Sequence, residues 1–109
     1  MLLAAERERT LAQIESLAAD HADVIESSQL VATDDEHDPE GATIAFERAR
    51  IDALLTQARD QLLAIGRAEQ RIATGSYGEC ERCGRPIGAE RLAARPTAET
   101  CVSCAALAG

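Results

Sequence analysis

The sequence predicts a mainly α-helical protein, built as a long antiparallel coiled-coil hairpin with an acidic tip and a small C-terminal knob organised by cysteines. Three observations predict it. Residues 1–30 and 43–74 are rich in Ala, Leu, Glu and Arg and carry apolar residues at steps of three and four. The interval between them, VATDDEHDPEGA at 31–42, breaks that period and holds five acids and no base. Finally, all four cysteines of the 109-residue chain lie near its C-terminal end, in two closely spaced pairs.

Residues 1–30 contain no Gly or Pro and read as one helix. Leu11, Ile14, Ala18, His21 and Ile25 form its expected apolar stripe, with His21 as a polar interruption. The second helix starts at Asp38-Pro39-Glu40, with Asp as N-cap, Pro in the first helical position and an acid in the first turn. Its stripe runs through Ile44, Ile51, Leu55, Ala58, Leu62, Ile65 and Ile72 at heptad spacing, with Arg48 and Glu69 as polar members. Gly75 is placed to end it in a left-handed conformation. Two amphipathic helices joined by a short loop bury their stripes by folding back on each other. Thirty residues at about 1.5 Å each give an arm of about 45 Å. Residues 1–75 are thus the expected hairpin, with 31–42 at its tip, and 76–109 the knob. Within the knob, Gly84 marks a tight turn and Ala89–Ala94 a short helix ended by Arg95-Pro96.

The cysteines read Cys80-x2-Cys83-x17-Cys101-x2-Cys104. Two CxxC pairs with such a spacer are a strong zinc signature. Zn2+ takes four thiolates tetrahedrally at about 2.3 Å, and a CxxC turn delivers two sulfurs to one ion. Four protein ligands leave no open position, so the expected ion is structural. Disulfides would need an oxidising compartment. Met1 instead opens a segment holding Glu6 and Glu8 rather than an apolar signal core, so a cytoplasmic location is expected. No apolar run is long enough to span a membrane.

Net charge is −8, unevenly spread: residues 43–74 carry four acids and five arginines, and 75–109 four of each. An acidic chain gains little from neutralising phosphates, so direct DNA binding is not expected. A basic or metal-bearing partner surface fits better. Asp34, Asp35, Glu36, Asp38 and Glu40 admit two readings: a solvated loop, or a charged probe carried on a rod into a basic or Mg2+-containing site. His37 among them and His21 on the first helix read as polar surface and interface residues. Arg82, Arg85, Arg91 and Arg95 surround the cysteines. Salt bridges to Glu79, Glu81, Glu90 and Glu99 account for most of them, with Arg91 and Arg95 left as candidates for anion or partner contact. There is no nucleophile elbow, Walker loop or dinucleotide fingerprint, and no enzymatic activity is expected.

The run from Tyr77-Gly78 through Cys80, Cys83-Gly84, Ile87, Arg91-Leu92, Ala94-Arg95-Pro96 and Ala98 to Cys101 and Cys104 resembles the C4 zinc finger of the DksA/TraR family. With the acidic hairpin upstream, the resemblance covers about residues 5–106. It implies a monomeric transcription regulator that binds bacterial RNA polymerase rather than DNA. Its coiled coil would enter the secondary channel and its tip would approach the catalytic centre. The family's tip commonly reads Asp-x-x-Asp-x-Ala. Without a gap, Glu40 and Ala42 fall on the second acid and the alanine, and His37 on the first acid; a one-residue shift puts Asp38 there instead. Arg95 falls on an arginine of the ppGpp-binding face, but the lysines flanking that face are replaced by Ala64 and Ala105, which implies weak or absent ppGpp synergy. Two other classes fit the residues: a nucleic-acid-binding zinc ribbon using the knob arginines, and a cytosolic thiol or zinc sensor.

Overall fold

Long uninterrupted helix-forming sequence gives long helices. The computed structural model describes residues 2–31 and 39–108, with α1 at Leu2–Val31, α2 at Pro39–Thr74, α3 at Ala89–Ala94 and α4 at Val102–Ala108. There is no strand among the described residues, only an isolated antiparallel bridge between Glu79 and Pro86. No helix among them is long and apolar enough to cross a membrane. The interval expected as a loop is shorter than 31–42: Val31 closes α1, and Pro39 to Ala42 already belong to α2. Pro39 stands first in α2, where its missing N–H costs no hydrogen bond.

The chain forms two compact units, Arg9–Asp60 and Met1–Glu8 with Gln61–Gly109. In the first, Leu17, Ile51, Leu55 and Ala58 form the core, with Ile14, Val24 and Leu54 packed against it. His21 Nε2 lies 2.7 Å from Asp52 Oδ1. Further along α1, Val24 and Ser27 share a cleft with Thr43 and Ile44. Partner numbers fall along α2 as they rise along α1, so the two segments run antiparallel. In the second unit, Leu3, Ile65 and Ala68 are buried. Arg7 makes a two-pronged ion pair with Glu69.

The inward stripe of α1 differs from the expected one. Leu3, Thr10 and Leu17 are buried and Ile14, His21 and Val24 half-buried, while Leu11 and Ala18 face outward. Two apolar choices compete at adjacent heptad positions: Leu11 outranks Thr10 on hydropathy, but Leu17 fills more volume against Ile51 and Leu55 than Ala18 could. The helix turns as one body, so Leu17 carries Thr10 inward with it. On α2 the expected stripe holds from Ile51 to Ile65 and then drifts. Ala68 is buried and Ile72 is exposed, because Arg71 turns inward to the segment before Cys101.

The end of α2 is a Schellman motif. Gly75, at φ 82°, donates to the Ile72 carbonyl at 3.2 Å, and Ser76 donates to the Arg71 carbonyl at 2.9 Å. This turn directs the chain into the cysteine segment.

Ile51 is 1% exposed and Leu11 47%. Ile51→Ala should therefore cost roughly 2–5 kcal/mol in urea unfolding followed by circular dichroism. Leu11→Ala should stay within about 0.5 kcal/mol. Equal losses would contradict the observed register of α1.

Candidate metal centre

The first CxxC pair sits on a tight knuckle. Cys80 N–H donates to the Arg85 carbonyl at 2.8 Å, and Gly84 N–H donates back to the Cys80 carbonyl at 2.9 Å. Gly84 adopts φ 74°, a conformation that a side chain at this corner would strain. Ile87 N–H to the Gly78 carbonyl, 2.8 Å, closes the ladder. The second pair lies at the entrance to α4: Cys101 precedes the helix and Cys104 stands within it. This helix was not expected from the sequence. One main-chain bond joins the halves, from Glu81 N–H to the Glu99 carbonyl at 2.9 Å.

Folding brings all four sulfurs within 4.8 Å of one another, with Cys83 and Cys101 Sγ 3.8 Å apart. Cys80 and Cys104 are buried among Ile87 and Ala98, with Leu92 and Cys101 against them. The backbone amides of Cys101 and Cys83 point at the Cys80 sulfur and hold its thiol down at about 6. The Cys104 amide likewise lowers Cys101. Cys104 is pushed up to about 12 by hydrogen bonds with the Cys101 and Cys80 side chains, since it keeps the proton its neighbours share. A dication held by Cys80, Cys83, Cys101 and Cys104 would replace those protons, with the amides dispersing the excess charge. The donor set and its spacing fit one structural Zn2+.

The surroundings stiffen this site. Tyr77 Oη donates to the Pro96 carbonyl at 2.8 Å. Gly78 adopts φ 89°, a left-handed backbone that a side chain would strain; a Cβ there would meet Leu92 Cδ1 only at ordinary van der Waals distance, 3.6 Å. From α2, Arg67 Nε donates to Glu99 Oε1 at 2.7 Å, and Arg71 reaches the same carboxylate at 3.6 Å and the Ala98 carbonyl at 3.4 Å. The Arg67 guanidinium holds the Glu99 carboxyl below its usual range. Sequence reasoning assigned Glu99 to the arginines around the cysteines, but its partners lie 28 and 32 residues earlier. No local pattern signals that pairing.

Arg91 Nε donates to the Thr100 carbonyl at 2.8 Å and so braces α3 against the second cysteine pair. Arg95 is exposed and has no ion pair among the described residues. Both border a surface cleft of about 570 Å³ that also runs past Ile87 and Val102. At the other expected site, Asp34, Asp35, Glu36 and Asp38 lie outside the described residues, as does His37. Glu40 lies in the first turn of α2, and Ala42 is exposed on the same helix.

Known proteins match this arrangement. Residues 75–108 match the prokaryotic DksA/TraR C4-type zinc finger. The chain is 46% identical over 39 residues to the RNA polymerase-binding transcription factor DksA of Haemophilus influenzae, covering 36% of this chain and 27% of that protein. It is 40% identical over 50 residues to the factor of the same name in Salmonella typhimurium, covering 46% and 33%. The matches thus span at most about a third of these relatives' length. The structure of transcription factor DksA2 from Pseudomonas aeruginosa superposes with a TM-score of 0.58 at 28% identity, over 96% of this chain and 81% of that one. The four cysteines therefore form a DksA-like C4 zinc finger.

Cys80→Ser should abolish stoichiometric zinc binding. Hydrogen exchange should show the amides of Cys80's knuckle, Gly84 and Ile87, losing protection. The α1–α2 amides within 9–60 should keep theirs, because the Leu17–Ile51–Leu55–Ala58 core draws on no residue of the finger. Uniform loss along the chain would contradict a self-contained finger.

Proposed function

We propose that this protein is a DksA-like, non-enzymatic transcription regulator that binds bacterial RNA polymerase and modulates initiation through the secondary channel. One observation carries the reading: a matched DksA/TraR zinc finger is joined to a helix pair that superposes with a DksA2 transcription factor along nearly the whole chain. The hairpin of residues 1–75 enters the channel, and the finger of residues 76–109 grips its rim, with Arg91 and Arg95 facing the enzyme. The acids Asp34, Asp35, Glu36, Asp38 and Glu40, with Ala42, act near the catalytic Mg2+. The protein works as a monomer in the cytoplasm, without direct DNA contact.

The charge distribution supports a protein partner of this kind. Residues 9–60 hold twelve acids and four arginines, which is the whole net charge; the remaining residues balance at seven and seven. Such a segment is repelled by nucleic acid and attracted to a basic or metal-bearing cleft. On the ppGpp-binding face, Arg95 is retained, but alanines at 64 and 105 supply no charged donor.

The test is binding of the zinc-loaded protein to core RNA polymerase, with a known secondary-channel factor as competitor. Saturable binding that the competitor displaces is expected, and ppGpp should tighten it by less than about twofold. Binding that the competitor leaves untouched, or no binding, would overturn the proposal.

A further inference from the structure

Near the start of α2, an aromatic side chain stands in solvent. Phe46 is 73% exposed, the most exposed large apolar residue among those described within 9–60, and one of two aromatics in the chain. Ala42 and Thr43, one helical turn earlier, share its face. Thr43 also lines a cleft of about 310 Å³ whose apolar floor is Val24 and Ile44 and whose other walls are Asp23, Ser27 and Glu47. The acids of this cleft differ in their partners. Glu47 is held by Arg50, 2.6 Å away, whereas Asp23 has no ion pair among the described residues.

We propose that this cleft and Phe46 form a docking surface for a basic amphipathic segment of the polymerase. The proposal rests on the function inferred above and adds a surface to it. An aliphatic side chain fills the Val24–Ile44 floor. An adjacent arginine or lysine sits between the Asp23 carboxylate and the Phe46 ring, joining an ion pair to a cation–π contact. Charge selects this occupant: with twelve acids against four arginines in residues 9–60, an acidic or nucleic-acid partner would be repelled. Ala42 lies on the Phe46 face, so the surface is continuous with the proposed tip contact.

The experiment measures dissociation constants for core polymerase, under displacement by the secondary-channel competitor, for the parent, Phe46→Ala and Asp23→Arg. Both side chains are exposed, so melting temperatures should match the parent's. Each substitution should weaken displaceable binding by roughly tenfold, as expected for an aromatic anchor and a reversed charge. The Asp23→Arg effect should shrink at high salt. Displaceable parent binding with unchanged variants would overturn this surface alone. A parent that shows no displaceable binding would overturn both the surface and the function on which it rests.

Discussion

Four sulfurs confined within 4.8 Å set the terms for the C-terminal third of this protein. The segment has little else to fold around: its buried set is Cys80, Ile87, Ala98 and Cys104, two of which are themselves ligands. Its helices are six and seven residues long, too short to hold in water without tertiary support. Binding energy at one metal ion supplies what a core of this size cannot. The left-handed glycines follow from the same constraint. Gly84 turns the chain back so that Cys83 can face the second pair, and Gly78, at φ 89°, turns the chain into the knuckle ahead of Cys80.

A second layer of polar contacts joins α2 to the finger. Arg67 and Arg71 converge on Glu99, two residues before Cys101, and Arg71 also meets the Ala98 carbonyl. Arg71 is largely buried and its Nε has no hydrogen-bond partner, so the guanidinium relies on Glu99 to offset its desolvation. Removing that carboxylate would leave a buried charge rather than a mere gap. The same demand explains why the apolar stripe of α2 drifts at its end: Arg71 takes an inward position and Ile72 is turned out.

Much of this could be read from the residues. Pro39 and Gly75 mark where α2 begins and ends, because a fixed φ and a positive φ are backbone requirements visible in the residue type. The CxxC pairs gave the ligands, since metal geometry restricts spacing. The rotation of α1 was not legible. Thr10 against Leu11 and Leu17 against Ala18 are choices between adjacent positions, and hydropathy ranks the first pair wrongly; only the volume offered by Ile51 and Leu55 decides. The Arg67–Glu99 bond links residues 32 apart and leaves no periodic trace. Nor did α4 announce itself, because a seven-residue helix carries too few turns for a pattern. Phe46 lies off the expected stripe of α2, and its exposure in the structure makes it a candidate contact.

X-ray absorption at the zinc edge on the purified full chain, with metal content measured in parallel, tests whether one tetrathiolate metal site organises residues 75–108. One zinc per chain and four sulfurs at about 2.3 Å around it, without nitrogen or oxygen, are expected. A mixed shell, or a folded finger with less than stoichiometric zinc and its cysteines in disulfides, would contradict it.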